Sequence, residues 1–225
     1  TANRMSEMVA VTSQSMNTFG ASNVKVLAGS TVLKGTGLPY GGPGTHYGMG
    51  YDTQIITYFR YLLEYLRTVD FDAFAFHHYS GSAVMMDQVM AWTNQTISDA
   101  DITPAKTGIS AKPRWNTEFN LGAHLGPHQD NNISGVPDLG LQYSDSAGAS
   151  ELVKAYTLAA GRAYSRQYFY KNSQVSDGSL GIQMYYITGL AHDYQPTKTV
   201  EEAYNNIVLR YTGATVSSKF CAASG

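Results

Sequence analysis

The chain has 225 residues with 15 basic and 17 acidic side chains, a formal net charge of −2, and it is 14% charged and 12% aromatic. That balance excludes the basic excess of a nucleic-acid surface, and no apolar run of about 18 residues offers a membrane span. A single cysteine, Cys221, excludes an internal disulfide framework, and the length suffices for one domain with a sizeable core.

From the N-terminus, Met5, Met8, Val9, Met16 and Phe19 fall on one helical face, and Gly20 supplies its stop. The segment VKVLAG, Val24 to Gly29, reads as a short buried strand, and residues 30–52 as a Gly-rich loop. TQIITYFRYLLEYLR follows, with Ile55, Phe59, Leu62, Leu63 and Leu66 at helical spacing. FDAFAFHHY, Phe71 to Tyr79, is the second strand, AVMMDQVMAWTNQ a helix, and PRWNTEF, Pro113 to Phe119, the third strand. Residues 120–149 form a long polar loop. ELVKAYTLAAGRAYSRQYFY reads as one continuous helix with Leu152, Tyr156, Ala159, Ala160 and Ala163 inward, and LGIQMYYIT as the fourth strand. Thr199 and Glu202 match a capping box that opens a last helix, VEEAYNNIVLRY. A helix followed by four βα units predicts an α/β fold with a parallel sheet and right-handed crossovers. The long loops follow strands, so they gather at the C-terminal strand ends, where barrels and open α/β sheets keep their sites.

Those strand ends carry the polar residues. His77 and Tyr79 are two apart and share a face of their strand. Glu118 ends the next strand between Trp115 and Phe119, and strict alternation places Asn116 and Asn120 on its face. Tyr186, or Tyr185 with the alternation shifted by one, closes the fourth strand. A carboxylate at the end of a buried strand must be paired, hydrogen-bonded or chemically useful, because desolvating it otherwise costs several kcal/mol. Taken singly, Glu118 also reads as a loop-capping carboxylate, His77 as a satisfied core imidazole and Tyr79 as simple packing. Their convergence in a parallel array favours a common cleft.

The order His-x-Tyr at one strand end, then Trp-x-Thr-Glu-Phe one βα unit later, resembles the retaining glycoside hydrolases of clan A. These are (β/α)8 barrels, and the TEFN spelling is closest to the β-xylosidase-like members. The resemblance implies that Glu118 is the nucleophile, that Tyr79 hydrogen-bonds it, and that His77 stands beside it. His78, Trp115, Asn116 and Asn120 would complete a sugar-binding set, with Tyr185 or Tyr186 as the platform. The implied activity is cleavage of β-glycosidic bonds in a polysaccharide or oligosaccharide by double displacement, with no cofactor. Such a reaction needs two carboxylates about 5–5.5 Å apart. The family's acid/base lies in an Asn-Glu pair at the end of strand four, and no Asn-Glu pair occurs in this chain. Glu7, Glu64 and Glu151 all fall on helical patterns.

On that resemblance the chain covers helix four to helix eight of a barrel. The N-terminal half, from the same precursor or a second chain, would bring the acid/base from upstream of residue 1. It would also cover the inner face and the two sheet edges, without which residues 1–225 would not form a stable monomer. The alternative is a carbohydrate-binding or assembly protein that keeps the barrel without hydrolysis. Low charge with 17 Tyr and many Asn, Ser, Thr and Gly suits secreted carbohydrate-active proteins, so an extracellular or periplasmic setting is expected. His46, His124, His128 and Asp130 lie on loops without a helical frame, and read as sugar-contacting or solvated residues rather than metal ligands. Asn94 and Asn132 begin N-x-[ST] sequons.

Overall fold

The computed structural model describes residues 2–21, 23–35, 51–80, 82–102, 107–121, 145–169 and 198–213. They form α1 (Ala2–Thr18), β1 (Leu27–Gly35), α2 (Tyr51–Leu66), β2 (Ala73–Ser80), α3 (Ala83–Ile102), a 3-10 turn (Ile109–Ala111), β3 (Arg114–Leu121), α4 (Asp145–Gly161), β4 (Tyr164–Phe169) and α5 (Lys198–Tyr211). The four strands make one parallel sheet in the order β1-β2-β3-β4. Each crossover therefore advances one strand in the same direction. Right-handed connections then put every helix on the same face, where α1 packs on α2, α3 on α4, and α4 on α5. Among the described residues no helix is long and apolar enough to cross a membrane.

The core lies between that helix layer and the sheet. Phe59, Leu62, Leu63 and Leu66 of α2 and Met86, Met90 and Ile97 of α3 are buried against Phe74 and Phe76 of β2 and Phe119 and Leu121 of β3. Phe59 meets Phe76 edge-on, 5.7 Å between centroids, and Phe119 meets Tyr156 of α4 at 5.2 Å, both within the favoured range for aromatic pairs. Burial raises the Tyr156 hydroxyl well above the usual phenol range, with Tyr204 of α5 adding to it.

Three elements depart from the sequence pattern. In α1 the buried residues are Ala2, Ser6, Val9 and Ser13, with Met5 and Met16 partly buried against the core as the pattern predicts, while Met8 and, past the helix, Phe19 are exposed. Small side chains permit a close approach to α2, and the Ser6 hydroxyl is satisfied locally by the Asn3 carbonyl at 2.7 Å. Strand β1 starts later than Val24 and runs on to Gly35, because residues 31–35 find parallel partners in Phe76 to Ser80.

The third departure is the largest. ELVKAYTLAAGRAYSRQYFY is not one helix: α4 stops at Gly161, and Tyr164–Phe169 is the fourth strand of the described sheet. Ala163 takes a left-handed conformation, φ 63°, and its N–H closes onto the Ala160 carbonyl, which is how a helix terminates. The Arg162 guanidinium grips Asp87 of α3 through two bonds of 2.6 and 2.7 Å and pins the corner. Beyond it Tyr164 and Phe169 pack onto the sheet, Phe169 edge-on to Phe119 at 5.3 Å. The segment LGIQMYYIT, with Tyr185 and Tyr186, lies outside the described residues.

Candidate active site

The helix-free face of the sheet is built by parity, and two bulges set it. In β2, Phe74, Phe76 and His78 point to the helices, so Ala73, Ala75 and His77 occupy the other face. Ala75 is registered with Trp115, but Phe76 pairs with Asn116 and His77 with Glu118, which leaves Thr117 as an extra residue. The Thr117 hydroxyl donates to the Phe76 carbonyl at 3.0 Å, stitching the bulge to β2. One inserted residue reverses the alternation. Trp115 and Glu118, three apart, thus share a face with His77, while Asn116 turns toward the helices. The grouping of Asn116 with Glu118 expected from strict alternation is corrected by this bulge. A second bulge, at Ser165, registers Trp115 with Arg166 and Asn116 with Gln167. It brings Arg166 and Tyr168 onto the Glu118 face.

Glu118 is partly exposed, and its Oε2 lies 3.7 Å from Nδ1 of His77. This is ion-pair distance when the imidazole is protonated, and longer than a hydrogen bond. Trp115 is half-buried, with the Arg166 guanidinium 4.2 Å from its ring centroid. Tyr168, exposed, sits in the stretch opposite Thr117 and Glu118, and its hydroxyl is 3.4 Å from Nη1 of Arg166. Across the three strands one row therefore carries His77, Glu118 and Tyr168, and the row beneath it Ala75, Trp115 and Arg166. The segments Leu27–Gly35, Ala73–Ser80, Arg114–Leu121 and Tyr164–Phe169 contain a single acidic residue, Glu118.

Two residues expected to touch sugar are placed behind the sheet. His78 is fully buried, its Nε2 2.8 Å from the Tyr164 hydroxyl. Burial pushes that hydroxyl well above the usual phenol range, opposed by the nearby Arg114 charge and a bond to Thr93. Asn116 is also fully buried: its Oδ1 accepts from the His78 backbone N–H at 3.2 Å and its Nδ2 donates to Oε1 of Gln167 at 3.0 Å. One side chain thus ties β2, β3 and β4 together next to the bulge. Tyr79 and Asn120 stand opposite each other in the β2–β3 register; their side chains lie outside what is described. His46, His124, His128, Asp130, Asn132 and Cys221 lie outside the described residues, as do Tyr185 and Tyr186. Asn94 is part of α3, and its amide donates to the Arg162 carbonyl.

The base of β3 is anchored separately. The Asp101 carboxylate, 2% exposed at the end of α3, accepts from the backbone N–H groups of Thr107, Gly108 and Ser110 and from the hydroxyls of Thr107 and Ser110. The Ser110 hydroxyl above all, helped by Thr107, holds this carboxyl well below the usual carboxylate range, although burial alone would raise it. Lys112 adds a bond to the Phe71 carbonyl at the start of β2. Two clefts of about 470 and 500 Å³ open on the helix layer, one lined by α1 and the turn after α2, the other by α2 and α3. Neither includes a strand residue.

Compared with models of protein families, with curated proteins and with solved structures, the chain matches none. The functional reading rests on the chemistry of the site face. Sequence reasoning missed Arg166 and Tyr168, because their segment reads as helix. The signal was present as an aromatic run, Tyr-Ser-Arg-Gln-Tyr-Phe, just after a Gly that stops a helix.

Proposed function

We propose that this chain carries the nucleophile side of a retaining glycoside hydrolase of clan A, within a (β/α)8 barrel, acting on β-linked polysaccharide or oligosaccharide. The observation that carries the reading is Glu118: the single acid of four parallel strands, at the C-terminal end of one, on the face that also presents Trp115 and His77. The sequential strand order with helices on one face suits an arc of a barrel. Glu118 attacks the anomeric carbon as the glycosidic C–O bond breaks and the leaving oxygen takes a proton from the acid/base carboxylate; water, deprotonated by that same group, then hydrolyses the glycosyl-enzyme ester. Trp115 offers flat apolar area to the C–H face of a pyranose, while His77, Tyr79 and Asn120 supply hydrogen-bonding groups near the nucleophile. The platform role is kept for Tyr185 or Tyr186, which lie outside the described residues, and Tyr168 adds an aromatic ring in the row of Glu118.

The described strands hold no second acid, and the resemblance puts the acid/base carboxylate in an Asn-Glu pair of an N-terminal half-barrel. The same feature is what favours the second reading, a carbohydrate-binding or assembly protein without hydrolysis. In the complete protein, Glu118→Ala is expected to abolish turnover of an activated aryl glycoside, with azide restoring it and giving the glycosyl azide of inverted configuration. Full activity in that variant would remove Glu118 from the mechanism. Glycan binding without turnover in the unmodified complete protein would leave the binding reading standing.

A further inference from the structure

Arg166 is not needed for the proposed hydrolysis, yet it stands on the same face, one row beneath Glu118. We propose that Arg166, stacked on Trp115, is an anion subsite that makes the substrate an acidic glycan, one bearing a carboxylate or sulfate close to the bond cleaved. The inference rests on the carbohydrate reading of this face and names its substrate class.

The argument begins with what holds Arg166. Its guanidinium carbon lies 4.2 Å from the Trp115 ring centroid, and its Nη1 is 3.4 Å from the Tyr168 hydroxyl. The Tyr168 contact engages one nitrogen of the guanidinium, whose fork carries five N–H groups in all. Those groups match the two oxygens of a carboxylate or sulfate. Among the described residues, Arg67 pairs with Glu64 and Arg162 with Asp87, and no carboxylate pairs with Arg166. Arg166 is nonetheless exposed and held in place by two aromatic residues. A charged group fixed by aromatic side chains, rather than by an opposite charge, is arranged to receive an anion.

The charge balance of the sheet agrees. Its four strands contain Lys34, Arg114 and Arg166 against Glu118 alone, whereas the whole chain is net negative. Arg114 is turned away and donates to the Ser110 carbonyl. On the face of Glu118 this leaves Arg166 as the described basic side chain, and a guanidinium there attracts ligands of opposite sign.

The test uses the complete protein and calorimetric titration with two matched probe pairs. One is a xylo-oligosaccharide with and without a glucuronate branch; the other is a galacto-oligosaccharide with and without sulfate. Wild-type protein is expected to bind the acidic member of at least one pair about tenfold or more tighter than its neutral twin, with the advantage falling as salt rises. Which pair responds separates carboxylate from sulfate. Arg166→Met is expected to remove that advantage while leaving neutral-probe affinity within about twofold, and Arg166→Lys to keep part of it. Thermal melts accompany both variants, and where Arg166→Met does not fold the Lys variant decides.

Equal or weaker binding of both acidic probes by wild type overturns the proposal and leaves the hydrolase reading intact. A variant that only melts earlier, with acidic preference unchanged, likewise overturns it and makes Arg166 a structural group. Binding of no probe at all overturns the carbohydrate reading and this subsite with it.

Discussion

Asn116→Ala separates a structural clip from a sugar ligand. The substitution strips the acceptor from the buried His78 N–H and breaks the bond to Gln167. A buried amide left unsatisfied costs about 1–3 kcal/mol, and the lost side-chain bond adds roughly 0.5–1.5 kcal/mol. The site is closed to solvent, so water does not readily replace either partner. The sum is about 1.5–4.5 kcal/mol, a large share of the roughly 5–15 kcal/mol that holds a domain together. Urea unfolding reads this directly: with a mid-range slope of about 2 kcal/mol per molar, the midpoint is expected to fall by roughly 1–2 M. Turnover at saturating substrate should fall as well, because the clip abuts the bulge that aims Glu118. Unchanged unfolding with a raised KM would refute the reasoning, since that is the behaviour of a side chain that faces the sugar.

Two further substitutions test the backbone and the anchor of the site strand. Gly29 has φ +110°, and a Cβ added there would stand 2.7 Å from the Ala75 carbonyl oxygen; Gly29→Ala is expected to destabilise the protein by about 2–4 kcal/mol in the same urea assay. Asp101→Ala is expected to cost about 3 kcal/mol or more at neutral pH, as charge-assisted bonds to Ser110, Thr107 and Gly108 are lost. The folded-state pKa of Asp101 is depressed, so its contribution is full above the unfolded value of roughly 3.9 and is lost as pH falls through the folded one. The difference in Tm between wild type and variant should therefore be widest near neutrality and shrink below about pH 4. A gap independent of pH would assign it to packing instead.

The alternation of strands and helices was legible because long amphipathic repeats such as Phe59, Leu62, Leu63 and Leu66 signal their period strongly. The third strand and its acid were legible for another reason: Glu118 is the one acid of its segment and stands between two aromatic residues, Trp115 and Phe119. What was hidden depended on contacts distant in the chain. Tyr164–Phe169 follows a strong helix with only Gly161 as punctuation, and its strand character comes from pairing with β3. The Thr117 bulge leaves no mark on a period of two, so alternation put Asn116 beside Glu118 and left Trp115 uncertain. His78 and His77 look equivalent in sequence; only the position of the helix layer decides which one is buried.

The Asp101 cage also bears on the order in which the molecule assembles. Its bonds link residues six to nine apart in the chain, whereas the pairings of β1 with β2 join residues such as Leu27 and Ala73. Loop-closure entropy grows with the logarithm of loop length, so the corner between α3 and β3 closes at roughly 1.4 kcal/mol less than those strand pairings. It is a local contact beside strand pairings that all join distant residues, and contacts of that kind can form before the sheet exists. The strand that carries Glu118 thus begins from a corner the chain can make by itself, and its neighbours are left to find it.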